Sequence, residues 1–391
     1  MKALVLSLLV AAGVANAAVL ERPVLKPVNA DMPQWNFANE STPDAKADGS
    51  VGVLIEPDLV EGKGGKDGAT VTKIKFGPYT VAPGQTLTRN LVGGLNGASV
   101  PCRDCYIVRS TEELEWNMLT TWLGCDAAWN GMSANVDTGA WLHHTEMSIT
   151  GQKDYVCPNS FLINFGGNRI FAGGNERIPI RMNSHGKYGL DLGNGNLGGQ
   201  VEIMSESTKP LTVYLTMLFE WVPKSTAAYR PAVHVWLDVT NCMPSDFPAK
   251  TGSYSKKSAE VAVKHDGELL FVYGHVHDGG TKVQLLNNGN VACTSKQIYA
   301  NRRGGYVEST DTAVVIKEMQ MPAGTHISDT GVCKGDFGKV KKGDKLQSIA
   351  YYDEAAHMQM KNRRGSLEPQ MGIAQTYIGL NWAKEGSSAP A

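Results

Sequence analysis

Leu269-Leu270-Phe271-Val272-Tyr273-Gly274-His275-Val276-His277-Asp278-Gly279-Gly280 decides the fold. An apolar, β-branched and aromatic run enters a glycine-rich turn, which is the pattern of a strand ending in a loop. Residues i and i+2 of a strand share a face. His275 and His277 therefore stand side by side, as two imidazoles chelating one metal ion would. The alternative is a pair of ordinary, partly exposed strand residues. The flanking Gly, Asp and Gly put the pair at a strand end, where loops carry function. Imidazole is also the commonest metal ligand. The pair reads as a metal site.

The same texture extends outward. Residues 72–76, 161–165 and 211–222 carry β-branched, aromatic and alternating apolar side chains. Turn dipeptides recur at Asn96-Gly97, Asn130-Gly131, Asn194-Gly195, Asp266-Gly267 and Asn288-Gly289. Residues 261–273 and 282–293, each with one of these turns inside, have the pattern of a hairpin. No long amphipathic helix is legible. Many short strands with frequent turns predict an all-β chain of two antiparallel, jelly-roll-like β-sandwich domains with a cleft between them. Pro223 to Pro231 is the best linker, giving domains at 69–222 and 232–383, each with one histidine cluster. Residues 18–68 read as a polar, extended lead-in and 384–391 as a flexible tail.

Residues 1–17 read as a secretory signal: Lys2, an apolar stretch over 3–14, then the small-residue cleavage site Ala15-Asn16-Ala17. That stretch is too short to span a membrane, and no later run approaches the required length. The polar tail is not an anchoring signal. Asn39-Glu40-Ser41 is a glycosylation sequon. A secreted glycoprotein without a transmembrane segment is expected. A formal charge of −1 excludes the basic stripe of a nucleic-acid binder. In an oxidising compartment most of the seven cysteines should be bridged. Cys293 and Cys333 share the later half and are expected to pair. Cys102, Cys105, Cys125 and Cys157 can make two bridges in the first half. Cys242 is then free, or bridges the halves and leaves another cysteine over.

The second histidine cluster is His143-His144, within Gly139-Ala140-Trp141-Leu142-His143-His144-Thr145-Glu146. Successive strand residues face opposite sides, so both reach one ion only at a bend or strand end. Otherwise one is buried and one exposed. Further donors in the later half are Met371, Met358, Met360, His326 and His357. A thioether beside two imidazoles selects Cu(I) over Zn(II), although each methionine also suits a core gap. Asp278 and Asp353 are candidate partners that orient a histidine; Asp278 alternatively stabilises its turn. The position two after His277 is Gly279, which excludes a His-x-His-x-Asp hydrolase. A Gly-x-Ser-x-Gly elbow is missing as well.

These clusters, with Gly343-Asp344-Lys345-Leu346, Ala350-Tyr351-Tyr352, His357 and Glu368-Pro369-Gln370-Met371, resemble the copper type II ascorbate-dependent monooxygenases. That family includes peptidylglycine α-hydroxylating monooxygenase and dopamine β-monooxygenase; the chain is more similar still to secreted fungal proteins of the superfamily. The resemblance implies two coppers facing each other across a solvent cleft. His275, His277 and Met371 would hold the catalytic copper. His143 and His144 would supply two ligands of the copper that stores an electron from ascorbate. A third histidine is missing from residues 188–196; His185 lies just upstream as a substitute. Tyr273 occupies the place of the arginine that holds a peptide carboxylate, and a phenol cannot make that bidentate pair. Peptidylglycine amidation is therefore not expected. The expected function is copper-dependent monooxygenation of a C–H bond in a small molecule, peptide or polymer, using O2 and an ascorbate-like reductant. The alternative is a non-catalytic secreted or cell-surface copper-binding protein.

Overall fold

The apolar run at residues 269–273 is the middle of a strand buried on both faces, which is why it reads as near-continuous hydrophobicity rather than alternation. The computed structural model describes residues 61–62, 65–92, 100–116, 140–161, 167–184, 186–205, 207, 209–299, 301–302, 306–307, 326–334, 338–361 and 365–381. The expected signal, the sequon, Cys125, His185, residues 162–166 and the tail lie outside them.

The strands of the first half are β1 (Thr70–Val81), β2 (Thr86–Val92), β3 (Cys105–Trp116), β4 (Ala140–Ile149), β5 (Asn168–Gly174), β6 (Ile180–Arg181), β7 (Tyr188–Asp191), β8 (Leu197–Ser205) and β9 (Leu211–Pro223). The later half contributes β10 (Arg230–Asp238), β11 (Ser253–Lys257), β12 (Val261–Ala262), β13 (Gly267–Val276), β14 (Gly280–Asn287), β15 (Asn290–Tyr299), β16 (Asn301–Arg302) and β17 (Tyr306–Val307). After these come β18 (Ile327–Thr330), β19 (Val332–Lys334), β20 (Lys339–Val340), β21 (Lys345–Asp353) and β22 (Gly372–Leu380). The chain is all-β, built from stacked antiparallel sheets, in agreement with the sandwich expectation.

One ten-stranded sheet runs in the order β1-β9-β3-β7-β10-β22-β13-β19, with β6 on β3 and β20 on β13. A four-stranded sheet, β2-β8-β4-β5, and a six-stranded sheet, β11-β21-β14-β15-β18 with β12 on β21, accompany it. The large sheet passes from one half of the chain to the other through a short parallel pairing of β10 with β7, Arg230 opposite Tyr188. Residues 224–229, where a linker is expected, form the turn between β9 and β10.

β13 alternates its side chains between two apolar clusters. Phe271 and Tyr273 join Phe171, Leu215 and Tyr377. Val272 and Val276 join Val283, Leu285 and Ile378. Each such side chain contributes about 1.5–3 kcal/mol by leaving water, and β13 draws on both clusters at once. That burial fixes its register, since a one-residue slip would exchange the two faces.

The hairpin expected at residues 282–293 is present as β14 and β15, with Asn288 (φ 49°) and Gly289 (φ 79°) at its turn. The one expected at 261–273 is not a hairpin. β12 pairs with β21, whereas β13 pairs with β22, β19 and β20. Asp266-Gly267 marks a local turn, and the burial of β13 on both faces chooses its partners. Three disulfides join Cys102–Cys105, Cys157–Cys242 and Cys293–Cys333. The second ties the halves together, so Cys242 is not the odd cysteine.

Gly274 separates Tyr273 from His275, and a Cβ there would lie 2.3 Å from Val283 Cβ. Gly274→Ala should cost about 1–3 kcal/mol as an overpacking substitution and lower the melting temperature. An unchanged melt would mean that β13 and β14 are not so closely opposed.

Candidate metal centre

Adjacent histidines on a flat strand would point apart. β4 resolves this with a bulge: against β8, Leu142 pairs with Ile203 and His144 with Glu202, so the register slips at His143. A bulge sets two residues against one and bends the strand. The His143 and His144 rings lie 5.2 Å apart. Glu202 stands opposite them on β8. His143 Nδ1 donates to its Oε1 at 2.8 Å, and His144 Nε2 is 3.7 Å from Oε2. One ligand atom from each of the three lies within 4.8 Å of the others. The group in this place is a carboxylate, where the family resemblance asks for a third histidine.

At the end of β13, His275 Nδ1 donates to Glu176 Oε1 at 2.7 Å. Glu176 follows β5 and is fully enclosed. His277 Nδ1 donates to the carbonyl of Pro369, also at 2.7 Å. A Cβ at Gly174 would come within 2.7 Å of the His143 carbonyl, 2.8 Å of Glu176 Oε2 and 3.2 Å of His275 Cε1. Glycine is what allows the two histidine-bearing strands to approach here.

The clusters meet. The His143 and His277 ring centres are 4.4 Å apart, and those of His275 and His277 are 5.7 Å apart. Trp141, His143, Glu176, His275, His277 and Met360 line one cavity. The open cleft that the resemblance implies between the clusters is closed by ring-to-ring contact. His275 Nε2 and His277 Nε2 are buried with no hydrogen-bond partner among the described residues, as is His144 Nδ1. A buried polar atom left unpaired costs about 1–3 kcal/mol. Imidazoles tethered through Nδ1 with Nε2 unused are the usual state of metal-ligating histidines. The residues therefore fit a transition-metal ion.

Burial holds His277 well below its ordinary 6.5, and the neighbouring His143 and His275 push the same way. Burial also lowers His144 to about 3 and His234 to about 4. His275 moves up: burial is the largest single influence and opposes its charge, but the hydrogen bond and charge of Glu176, with the charges of Glu146 and Asp238, together outweigh it. Glu202 falls to about 2, because the His143 hydrogen bond and charge overcome desolvation.

The remaining expected ligands are dispersed. Met371 packs with Ala172, Trp236 and Ile373, while Met360 lines the cavity and packs with Trp141 and Met204. Met358 is 41 % exposed. His357 stacks on Tyr299 with ring centres 3.6 Å apart. His326 is buried against Trp141, 4.2 Å between ring centres, and its Nδ1 donates to Asp278 Oδ2 at 2.6 Å. Asp278 thus orients a histidine, though not one of the His-x-His pair. Glu176 and Glu202 are the residues that sequence reading missed. Glu202 leaves a faint trace as a lone charge between Val201 and Ile203. Glu176 leaves none, since its partner lies 99 positions away.

Two measurements check this geometry. Glu176→Gln and Glu202→Gln should each weaken copper binding 10- to 100-fold by isothermal titration, the usual effect of losing a group that orients a ligand; undiminished affinity would deny them that role. In chelator-treated protein, His144, His234 and His277 stay neutral when folded but take protons near 6.5 when unfolded. Their contribution to stability is full above that pH and is lost as pH falls. His275 acts oppositely: its contribution is present below 6.5 and fades as pH rises through its raised folded value. His265 and His357 are lowered as well, and Glu146, raised to about 7, acts in the same sense as His275. With the lowered histidines in the majority, the melting temperature should fall from pH 7.5 to pH 5. A flat profile would show that the imidazoles are not buried in neutral form.

Comparison with known proteins gives two relatives. The chain is 28% identical over 314 residues to a "Probable copper-dependent oxygenase M1" of a Phoma species, covering 78% of this chain and 72% of that protein. It is 29% identical over 253 residues to a "Probable copper-dependent oxygenase clz3" of Cochliobolus lunatus, covering 64% and 75%. No protein-family model matches. Among solved structures, PNGase F, a glycosylasparaginase from Flavobacterium meningosepticum, aligns with TM-score 0.36 and 10% identity over 80% of this chain and 97% of that one. A likeness that weak carries no functional argument.

Proposed function

We propose that this chain is a secreted copper-dependent oxygenase that hydroxylates a C–H bond with O2 and a small reductant. The observation that carries the reading is the pair of buried, unpartnered Nε2 atoms of His275 and His277, each on an imidazole fixed through Nδ1. The names of the two relatives support copper and oxygen chemistry. Imidazole alone also suits zinc, iron and nickel; the Met360 thioether in the cavity favours copper, which cycles through Cu(I). Met371, the family's expected ligand, packs in the Trp236 cluster.

Copper, when bound, supplies one-electron chemistry toward O2. The protein's own groups hold the imidazoles, keep bulk water out and manage protons. Hydroxylation consumes the substrate C–H, one O2, two electrons and two protons, and releases the alcohol and water. Burial pushes the Glu146 carboxyl up to about 7, and it interacts electrostatically with His275. Two residues beyond His144 on β4, Glu146 can hold a proton at neutral pH. The Tyr273 hydroxyl donates to the Ala172 carbonyl and its ring is fully buried. It therefore cannot clamp a peptide carboxylate, which argues against peptidylglycine amidation. Three disulfides and the signal-like residues 1–17 support secretion. No helix among the described residues is long and apolar enough to cross a membrane.

The test is oxygen uptake by copper-loaded protein with ascorbate and a panel of C–H substrates. Uptake should require copper and reductant and should fall at least about 100-fold in His275→Ala, in line with the loss of a metal site. Tight copper binding without uptake on any substrate would favour the non-catalytic copper-binding protein.

A further inference from the structure

The placement of the histidines around the cavity bears on which imidazoles share an ion. We infer that His143, His275 and His277 hold a single metal ion through Nε2, so that the site is one three-imidazole centre assembled from both halves of the chain. This rests on reading the cavity as a metal centre. It departs from an arrangement in which each histidine cluster holds its own ion.

Three observations carry it. First, the cavity is lined by His143, His275 and His277, and not by His144. Second, each of the three has its Nδ1 taken by a fixed acceptor: Glu202, Glu176 and the Pro369 carbonyl, at 2.8, 2.7 and 2.7 Å. All three rings are thus held through Nδ1, and His275 and His277 also have Nε2 buried without a hydrogen-bond partner among the described residues; His144 is not held through Nδ1. Third, the two ring spacings that involve His277 fit. With a metal–nitrogen bond of about 2.0 Å and tetrahedral angles, two imidazoles on one ion put their centres roughly 5 Å apart. His143 to His277 is 4.4 Å and His275 to His277 is 5.7 Å.

The competing arrangement is an ion held by His143, His144 and Glu202. Its carboxylate is already engaged: Oε1 accepts from His143 Nδ1 and Oε2 from Thr88 Oγ1 at 2.9 Å. In the structure Glu202 uses one lone pair of each oxygen to hold His143 and Thr88 in place. Glu202 is thus a positioning residue for His143, as Glu176 is for His275.

The experiment is transition-metal content per chain by mass spectrometry for the full protein and for H143A, H144A, H275A and H277A, each checked by thermal melting. Pulsed EPR of the Cu(II)-loaded wild type, which counts coordinated imidazoles without any variant, accompanies it. The inference expects one ion per wild-type chain. That ion should be lost tenfold or more in H143A, H275A and H277A but kept in H144A, with three imidazoles counted. Two ions in the wild type, one lost with H143A and H144A and the other with H275A and H277A, would overturn the shared centre and leave the copper reading intact. A single ion that is not copper, lost with the same three variants, would uphold the shared centre and overturn the copper reading. No transition metal in the wild type would overturn both.

Discussion

The structure depends on a conflict between burial and imidazole chemistry. Each neutral imidazole has one donor and one acceptor nitrogen, and both lose water when enclosed. At His275 and His277 the donor side is satisfied by Glu176 and by the Pro369 carbonyl, while the acceptor side is left bare. A fold that tolerates such unmet capacity in one small volume needs compensation elsewhere. The two apolar clusters flanking β13 supply it, anchoring the strand so firmly that its histidines cannot swing out to solvent. An electrophile that accepts the bare lone pairs removes the conflict. Burial itself keeps His277 unprotonated at neutral pH and ready to serve as a ligand.

The position of the site follows from sheet order. In the ten-stranded sheet β22 lies between β10 and β13, and β13 is followed by β19. The four-stranded sheet brings β4 and β5 against this region, and Ala172 N on β5 donates to the Gln375 side chain of β22. Tyr273 and Tyr377 donate to the carbonyls of Ala172 and Ile170 on β5. These side-chain-to-backbone bonds cross the sheet interface beside the metal ligands, so the relative placement of the histidine-bearing strands is set by hydrogen bonds as well as by packing. The Cys157–Cys242 bridge adds a covalent tie between the same parts of the chain.

Much of this was legible in the sequence. The strand character of residues 269–276 and 211–222, the Asn288-Gly289 hairpin and the side-by-side placement of His275 and His277 follow from period-two geometry and turn chemistry, which are local. The need for a bend at His143-His144 was also legible, because two neighbours on a regular strand cannot share a face. What hid was non-local. The spurious hairpin at 261–273 arose because Asp266-Gly267 announces a turn but not the partners of the strands beside it. Glu176 and Glu202 are ordinary acids until β5 and β8 are placed against the histidines. The meeting of His143 with His277, 134 positions apart by their numbers, depends on sheet-on-sheet packing that no motif encodes. Methionines are harder still: Met360 and Met371 have the same chemistry, and only packing separates the one in the cavity from the one beside Trp236.

The bulge at His143 bears on how such a site can arise. A regular β4 would show β8 one histidine at most, with the neighbour turned to the opposite face. A single inserted codon, rather than a point substitution, changes that count, since the additional residue is absorbed locally and the pairing on either side of it is kept. Length variation inside a strand is ordinarily purged because it inverts every side chain beyond it. Here the inversion stops where the ladder resumes, so one residue more or fewer at this place changes which histidines face β8 and leaves the pairing of the rest of β4 with β8 as it is.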